Sequence, residues 1–425
     1  MKRREFIKNA SLGSAALIAP FQISATATEK KIRIGLIGAG WYGMVVTKSA
    51  LKTGNVEITA VCDVDSEHLN SSADEIAKLQ GKRPKTFKYY KELLEVKDME
   101  AVIIGTPPQW HALQFIAACE KGLDIFCEKP LAYDIREGLA MIEAHKKAGN
   151  IVQIGFQRRQ SAAFGKAKEL IGRGDLGHIH QIDARIHYIP SIRDTAVQAP
   201  PTSLDWDEWC GPAPLLDYRP NIGHMAWRLE KEFGNGHLVD WGIHHIDTIR
   251  MIMDETIPTE FYTRGGILEL KDKITTPDTL TAHLGFKKAP VVWQHRLWGA
   301  GDPNREFNNG IFFHGEKASL FVADAKMLKF QGGKEAKSEE IAVENSPMQD
   351  IHVAKFVEAV LKKDKKLIDS TPEDAFLSTA TVQLAMISYD TGSLVRWDPA
   401  ANRIIDHPEA AKLMARAYRP KYKRP

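Results

Sequence analysis

The sequence is poor in cysteine. Its 425 residues include only four, none of them in a Cys-x-x-Cys pair: Cys62, Cys119, Cys127 and Cys210. So few cysteines exclude a disulfide-rich scaffold, and their spacing argues against a zinc site built on thiolates. Cys62 and Cys127 lie in apolar runs that are typical of buried strands, so we expect all four to be free structural residues.

The chain also lacks a charge imbalance and long apolar runs. With 57 basic and 54 acidic residues the formal net charge is +3, which gives no reason to expect a nucleic-acid partner. The densest basic run, residues 416–424, is most simply interpreted as a frayed, solvated tail. After the N-terminal region no stretch approaches the ~20 apolar residues of a membrane span, so we expect none.

The N-terminus has the pattern of an export signal. Lys2-Arg3-Arg4 precedes a short apolar stretch, and Ala25-Thr26-Ala27 offers the small residues of a cleavage site. The paired arginines, followed by phenylalanine and lysine, resemble a twin-arginine signal. We therefore predict a signal peptide over residues 1–27 and a periplasmic protein. The alternative is an ordinary amphipathic N-terminus.

A glycine-rich turn follows the first apolar run, residues 32–37. It reads Gly38-Ala39-Gly40-Trp41-Tyr42-Gly43 and leads into a helix-like run over residues 44–51. A Gly-x-Gly-x-x-Gly turn between a strand and a helix is the fingerprint of dinucleotide binding. Its glycines allow a tight turn and close approach of a pyrophosphate to the N–H groups of the helix.

Asp63 follows the second predicted strand, residues 56–62, at the expected distance of about 20 residues from the glycines. A carboxylate here accepts hydrogen bonds from both hydroxyls of the adenosine ribose. It also repels a 2′-phosphate, which favours NAD over NADP. The alternative is that Asp63 caps a helix that starts before Glu67.

Strands continue to alternate with helices up to residue 154. Apolar strands are predicted at 101–104, 123–127 and 151–154, with helices at 110–120 and 135–148. This alternation predicts a parallel, doubly wound sheet. Ligands bind beyond the carboxyl ends of such strands. The candidate cofactor contacts at these ends are Thr106, Pro107, His111, Glu128 and Gln157, with Lys129 beside them.

A predicted helix over residues 236–253 has four ionisable residues spaced to share one face. They are His237, Asp240, His244 and Asp247. Ionisable groups on an otherwise apolar helix are costly unless they are paired, so this face is a candidate catalytic surface. The alternative is that His244 is a packed core residue. A zinc site on His237, His244 and His245 is disfavoured because His245 points away from its neighbour, and we expect no metal.

Residues 157–425 form the predicted second domain. Strands are expected at 178–188, 260–268, 280–286, 291–297 and 310–314, and helices at 351–361 and 372–389. A long connection, residues 199–224, contains Trp206, Trp209 and Tyr218, with Trp227 just beyond it. These rings either stack on a sugar or anchor the connection to the core. The candidate substrate contacts are Arg158, Tyr188, Trp227, Asp240 and His244.

Three motifs together resemble the Gfo/Idh/MocA oxidoreductase family. They are the glycine turn, Glu128-Lys129-Pro130 and Asp240-Trp241-Gly242-Ile243-His244. The resemblance implies an α/β protein with a Rossmann domain over residues 28–156. It also implies a second, α+β domain whose large, open, mostly antiparallel sheet commonly makes the oligomer contact. One departure is Gly234-Asn235-Gly236, where many members have three small residues in a row.

The resemblance also implies a reaction. We expect an NAD-dependent dehydrogenase that oxidises a secondary hydroxyl of a sugar, glycoside or polyol and forms a homo-oligomer. Lys129 and His244 are the predicted catalytic residues, with Asp240 in support. An NAD-dependent glycosidase and a non-catalytic sugar-binding protein are the alternatives. Lys129 favours the dehydrogenase, because the related glycosidases often lack this lysine.

Overall fold

The computed structural model describes residues 31–299, 305–332 and 337–425. The predicted export signal, residues 1–27, lies outside these residues. No helix in the described part of the chain is both long and apolar enough to cross a membrane. The four cysteines are buried and free.

The first sheet has six strands within the described residues. They are β1 Ile32–Ile37, β2 Val56–Cys62, β3 Lys85–Phe87, β4 Ala101–Ile104, β5 Asp124–Cys127 and β6 Val152–Ile154. Their order is β3-β2-β1-β4-β5-β6, and every pairing is parallel. The central strands are continuous apolar runs because helices cover both faces of a parallel sheet. The predicted doubly wound sheet is thereby confirmed.

Five helices follow these strands. They are α1 Trp41–Lys52, α2 Ser66–Gln80, α3 Tyr90–Leu93, α4 His111–Glu120 and α5 Ile135–Ala148. Helix α2 has a low mean hydropathy, and the sequence indicated it only through the alternative role of Asp63 as a helix cap before Glu67. Its start is set by Asp65, whose side chain accepts hydrogen bonds from the backbone N–H groups of Glu67 and His68. The cap before Glu67 is therefore Asp65, and Asp63 is free for another role.

A second sheet has ten strands within the described residues. They are β7 Ile179–Ile186, β8 Glu260–Gly266, β9 Thr279–Leu284, β10 Val291–Arg296, β11 Asn309–Gly315, β12 Ala318–Ala323, β13 Lys326–Gln331, β14 Lys337–Glu340, β15 Val395–Asp398 and β16 Arg403–Ile405. Their order is β14-β13-β12-β11-β7-β10-β9-β8-β15-β16. The sheet is mixed, because β7 and β10 pair in parallel while the other pairings are antiparallel.

Six further α-helices lie between residues 157 and 425 of the described chain. They are α6 Ala162–Gly172, α7 Trp206–Cys210, α8 Ile243–Met253, α9 Met348–Lys362, α10 Pro372–Thr391 and α11 Pro408–Lys412. Strand β10 shows why the sheet forms, since its buried Val291, Trp293 and His295 alternate with more exposed residues. The five strands predicted for this region are present, with ends shifted by at most two residues.

The predicted continuous helix over residues 236–253 is wrong in one respect. It begins as a π-helical turn, Leu238–Gly242, and becomes α-helical only in α8. A π turn inserts an extra residue into the helical repeat, so residues before and after it lose their α-helical alignment. The four ionisable residues therefore do not share one face.

The basic C-terminal run is docked rather than frayed. Arg416 places its guanidinium 3.8 Å from the centre of the Tyr133 ring, and its backbone N–H donates to Asp134. Arg419 donates to the Gly211 carbonyl, and the Tyr422 ring meets Trp110 edge-on at 5.4 Å between centroids. The tail interpretation missed these contacts because their acidic and aromatic partners lie far away in sequence.

Candidate active site

A cleft of about 310 Å³ opens at the carboxyl ends of the first-sheet strands. One wall consists of Rossmann-domain residues, the other of residues from the connection between β7 and the π turn, hereafter the 187–236 connection. The predicted cofactor contacts that line the cleft are Gly38, Gly40, Trp41, Tyr42, Asp63, Thr106 and Pro107.

The glycine turn leaves room where a dinucleotide phosphate needs it. A Cβ on Gly40 would have only the His68 imidazole within 4.0 Å, whereas one on Gly43 would lie 1.9 Å from the Gly38 oxygen. Gly43 is therefore needed for packing, and Gly40 for open space. No side chain of the described residues caps the N-terminus of α1, whose first turn also lacks acidic residues. Its free N–H groups fit a pyrophosphate.

Asp63 is held at the cleft by backbone donors. Its Oδ2 accepts from the Ala39 N–H at 2.8 Å, and its Oδ1 accepts from the Asp65 N–H at 2.9 Å. Burial raises the pKa of this carboxyl, and the two donors act in the opposite direction. The side chain lines the cleft, and its contact with a ribose remains a prediction.

The 187–236 connection closes the cleft from the other side. Seven of its residues line the cleft: Arg193, Glu208, Trp209, His224, Met225, Trp227 and Arg228. Trp206 and Trp209 stack on each other at 4.7 Å and are buried against Phe233. Those two rings anchor the connection. Trp227 lies in the cleft wall with the Arg228 guanidinium 4.5 Å from its ring centre.

Lys129, Arg228 and Asp240 form a charged group around a buried carboxylate, hereafter the Lys129 cluster. The Lys129 ammonium donates to Asp240 Oδ1 at 2.8 Å and to the Asp240 carbonyl at 2.7 Å. Arg228 Nε lies 3.1 Å from Asp240 Oδ2. Burial alone would raise the pKa of Asp240, but Lys129 and Arg228 outweigh it and hold the pKa below its usual value. Two cations thus share one carboxylate.

His244 lies beside this cluster and is only 5% exposed. Its ring packs against Phe156 and Trp241, and its Nδ1 is buried without a hydrogen-bond partner among the described residues. Burial lowers its pKa well below the usual value, and the charges of Lys129 and Arg158 lower it further. The imidazole is therefore neutral at neutral pH and able to accept a proton.

Glu128 and Gln157 carry two further buried polar atoms. Within the described residues neither Glu128 Oε1 nor Gln157 Oε1 has a hydrogen-bond partner. Gln157 Nε2 donates to the Tyr42 hydroxyl at 2.6 Å, which connects it to the glycine turn. Burial raises the pKa of Glu128 to about 7, against the opposing charge of Lys129. Orphaned acceptors of this kind fit the hydroxyl and amide donors of a nucleotide.

Arg158 and Tyr188, two of the predicted substrate contacts, do not line the cleft. Arg158 is buried, pairs with Asp324 at 3.1 Å and places its guanidinium 5.7 Å from the Trp241 ring centre. Tyr188 is 37% exposed and packs on the His237 ring at 4.9 Å. The Trp241 ring is also partly exposed, so aromatic surfaces are available near the Lys129 cluster.

The structure separates some predicted residues from the site. His111 is fully buried, with its Nδ1 2.8 Å from the Pro130 carbonyl and its Nε2 2.8 Å from the Thr106 carbonyl. It holds two loops of the site together and does not line the cleft. Conversely, sequence reasoning missed Arg228. Its only signal was a cation next to Trp227, and its pairing with Asp240 depends on the tertiary fold.

Asp247 belongs to a different group, hereafter the Arg159 cluster of Arg159, Asp247, Arg250 and Asp374. Arg159 donates to both Asp247 oxygens at 2.6 and 2.7 Å, and Arg250 donates to Asp374 at 2.7 Å. Two cations meet two carboxylates, so the charges balance. The Ser378 hydroxyl donates a further hydrogen bond to Asp247.

Three family models match this chain. They are an oxidoreductase family with an NAD-binding Rossmann fold over residues 32–156, a GFO/IDH/MocA C-terminal domain over 213–321, and an oxidoreductase C-terminal alpha/beta domain over 315–424. The chain belongs to the Gfo/Idh/MocA oxidoreductase family. Residues 32–156 are accordingly an NAD-binding Rossmann domain.

Known relatives within the Gfo/Idh/MocA family differ in chemistry. An inositol 2-dehydrogenase/D-chiro-inositol 3-dehydrogenase of Lactiplantibacillus plantarum is 30% identical over 305 residues, 66% of this chain and 83% of that protein. A glycosyl hydrolase family 109 protein of Stenotrophomonas maltophilia is 29% identical over 43% of this chain and 42% of its own length. For the first four curated relatives, the matched part spans only 42% to 65% of their length.

The fold is also that of solved structures. The complex of levoglucosan dehydrogenase with NADH and levoglucosan superimposes with a TM-score of 0.67 at 18% identity, covering 86% of this chain and 99% of that one. At this identity the likeness concerns the fold. It agrees with the two-sheet architecture described above.

The geometry of this Gfo/Idh/MocA site suits the removal of a proton from an alcohol. A nicotinamide held by the Rossmann domain would supply the hydride acceptor. The Lys129 ammonium has the charge that would stabilise a negative hydroxyl oxygen, and the second cation of its cluster would strengthen this effect. His244 offers a neutral imidazole for the proton. Arg228 borders both the cleft and Asp240, and so joins the cofactor site to the chemical groups.

Proposed function

We propose that this protein is an NAD-dependent dehydrogenase that oxidises a secondary hydroxyl of a sugar, glycoside or polyol to a ketone. The observation that carries the proposal is the Lys129 cluster, in which two partly buried cations share the buried Asp240 carboxylate beside neutral His244. An excess of positive charge in a buried site stabilises an alkoxide as it forms. The relative named as an inositol dehydrogenase supports the substrate class.

In this reaction the hydroxyl proton passes to His244 while hydride leaves the carbon. Lys129 holds the oxygen, and Asp240 holds Lys129. Arg158 and the partly exposed Tyr188 and Trp241 provide polar and aromatic contacts for the remaining hydroxyls and the C–H faces of the substrate.

NAD rather than NADP is the proposed cofactor. Asp63 supports this preference, because its carboxylate accepts hydrogen bonds from a ribose diol and repels a phosphate in the same place. The nucleotide released by denaturing purified protein is identified by chromatography. Mainly NADP would refute the preference.

We also propose export by the twin-arginine route, on the strength of Arg3 and Arg4 before the short apolar stretch. Replacing both residues by lysine should retain the protein in the cytoplasm. Unchanged periplasmic protein in a fractionation experiment contradicts this proposal.

A second function has one observation in its favour, the relative named as a glycosyl hydrolase family 109 protein. Such an enzyme would release free sugar with no net change in cofactor. Purified protein is therefore incubated with a panel of glycosides and polyols while bound-nicotinamide absorbance and product NMR are recorded together. A keto product supports the dehydrogenase, free sugar without a keto product supports the glycosidase, and binding without turnover refutes both.

A further inference from the structure

A second cluster of polar residues lies at the edge of the cleft, away from the Lys129 cluster. It consists of Asp65, His68 and His224. Asp65 and His68 belong to the turn and first residues of α2, and His224 comes from the 187–236 connection. One potential ligand atom of each residue lies within 4.8 Å of those of the other two.

His224 is in direct contact with both of the other members. His224 Nε2 lies 3.0 Å from Asp65 Oδ2, and the two imidazole rings are 4.2 Å apart between centroids. Zinc with bonds of about 2.05 Å in tetrahedral geometry places its ligand atoms about 3.3 Å apart. A side-chain rotation that moves the His68 ring nitrogen by about 1.5 Å would bring the three ligand atoms to this spacing.

The carboxylates at this site also favour binding of a cation. Asp63 and Asp65 are two adjacent carboxylates, and in the described part of the chain neither pairs with a lysine or arginine. Asp65 Oδ1 accepts from the start of α2, which leaves Oδ2 directed at His224. His224 adopts a left-handed backbone conformation, φ +47°, which is uncommon outside glycine and fixes the direction of its imidazole.

We propose that Asp65, His68 and His224 bind one transition-metal ion, with zinc the best match to two imidazoles and a carboxylate. The ion links the start of α2 to the 187–236 connection and so fastens one wall of the cleft to the other. His68 and His224 both line the cleft, and the ion therefore lies at its rim. This site is separate from the proposed reaction, and either proposal can fail without the other.

The test uses full-length protein without a histidine tag, dialysed against a chelator. Zinc is titrated in competition with a chromogenic chelator, and the thermal midpoint is recorded at each step. We expect one zinc ion per chain and a midpoint that rises with zinc. Cobalt in place of zinc should give the intense visible bands of a tetrahedral ion. A chain that binds no zinc, or whose midpoint does not respond to it, overturns the proposal.

Variants locate the ion. His224→Ala and His68→Ala should each weaken zinc binding by at least about tenfold, the lower end of what even outer partners contribute. Asp65→Asn should do the same while keeping the cap of α2, because asparagine caps as well as aspartate. The control is the double variant His178→Ala/His180→Ala, a histidine pair with ring centroids 4.8 Å apart at the start of β7. Unchanged affinity in all three site variants, or an equal loss in the control, refutes the assignment.

Discussion

Asp240 and Asp247 lie on the same helical segment, yet they belong to two kinds of buried charge. In the Lys129 cluster Asp240 is shared by two cations, whereas in the Arg159 cluster two carboxylates and two guanidiniums balance. Burial and ion pairing are alike in the two. The difference lies in the surplus charge, which in the first cluster remains available for a substrate oxygen. Charge balance, rather than burial, is therefore the feature that distinguishes the two clusters.

Among the variants that test this contrast, His244→Ala should have the largest effect on the chemical rate. Loss of a general base lowers the chemical rate by about two to four orders of magnitude. Lys129→Ala should lower it by a similar factor, because the oxygen loses its cation. The measurement is single-turnover reduction of cofactor in protein that has been saturated with NAD.

Bound nucleotide in each variant is quantified as the control for that experiment. Native single-turnover rates in His244→Ala, with reduced thermal stability, would make His244 a packing residue and cancel its catalytic assignment.

Asp247→Asn should have the opposite profile. Removing the Asp247 charge leaves two buried guanidiniums to share the single carboxylate of Asp374, which costs about 3 kcal/mol of unfolding free energy. The single-turnover rate should stay within a few-fold of native, because Asp247 faces Arg159 and Ser378 and not the cleft. Urea unfolding and the single-turnover assay are performed on the same preparation. A large loss of rate with native stability would erase the distinction between the clusters.

Arg228→Gln sharpens the comparison by removing only the surplus cation. Lys129 and Asp240 then form a balanced pair, and we expect the rate to fall about tenfold, less than the 10²–10³ lost with a direct donor. Stability should change by less than about 1 kcal/mol, because the Arg228 side chain is partly exposed. Saturating substrate and cofactor are used, since Arg228 also lines the cleft. A rate equal to native shows that the surplus charge has no role.

The smallest expected effect is on pH dependence. His244 acts as the neutral base, and burial, followed by Lys129 and Arg158, lowers its pKa. Activity should therefore persist as pH falls through about 6.5, where a free imidazole protonates, and decline only at lower pH. Glu128 titrates nearby, since burial raises its pKa to about 7, so the profile is also measured in Glu128→Gln. If the activity of Glu128→Gln already falls with an apparent pKa of about 6.5 or above, His244 is not the neutral base.

The sequence was sufficient for the features set by local chain geometry. The glycine turn and five strands of the first sheet depend on residues close in the chain, so their apolar runs and turns can be recognised from the sequence. Strand β3, Lys85–Phe87, was missed because it is short and lacks a buried apolar run. Asp240 and Asp247 were not separable, because Asp240 lies in the π turn and Asp247 in the α-helix that follows it. Helical spacing alone assumes a regular α-helix.

Contacts between residues far apart in the chain could not be predicted from the sequence. Arg228 meets Asp240, and His224 meets Asp65, only because the 187–236 connection crosses back over the first sheet. That path is fixed by Trp206 and Trp209, whose burial pattern has no periodicity to detect. The aromatic residues of the connection were read as sugar platforms or anchors, and for these two the anchor role is the one that the structure shows.

The docked basic run, residues 416–424, completes the cleft wall only at a late stage of translation. Arg416 donates to the carbonyl of Gln109, which the ribosome added 307 residues earlier, and Tyr422 supports Trp110 in the cleft wall. Translation of the dinucleotide-binding half is therefore finished long before that wall is complete. Nascent chains that stop short of this run would carry an intact glycine turn and an unsupported pocket, and a bulky fusion placed there would disturb cofactor uptake first.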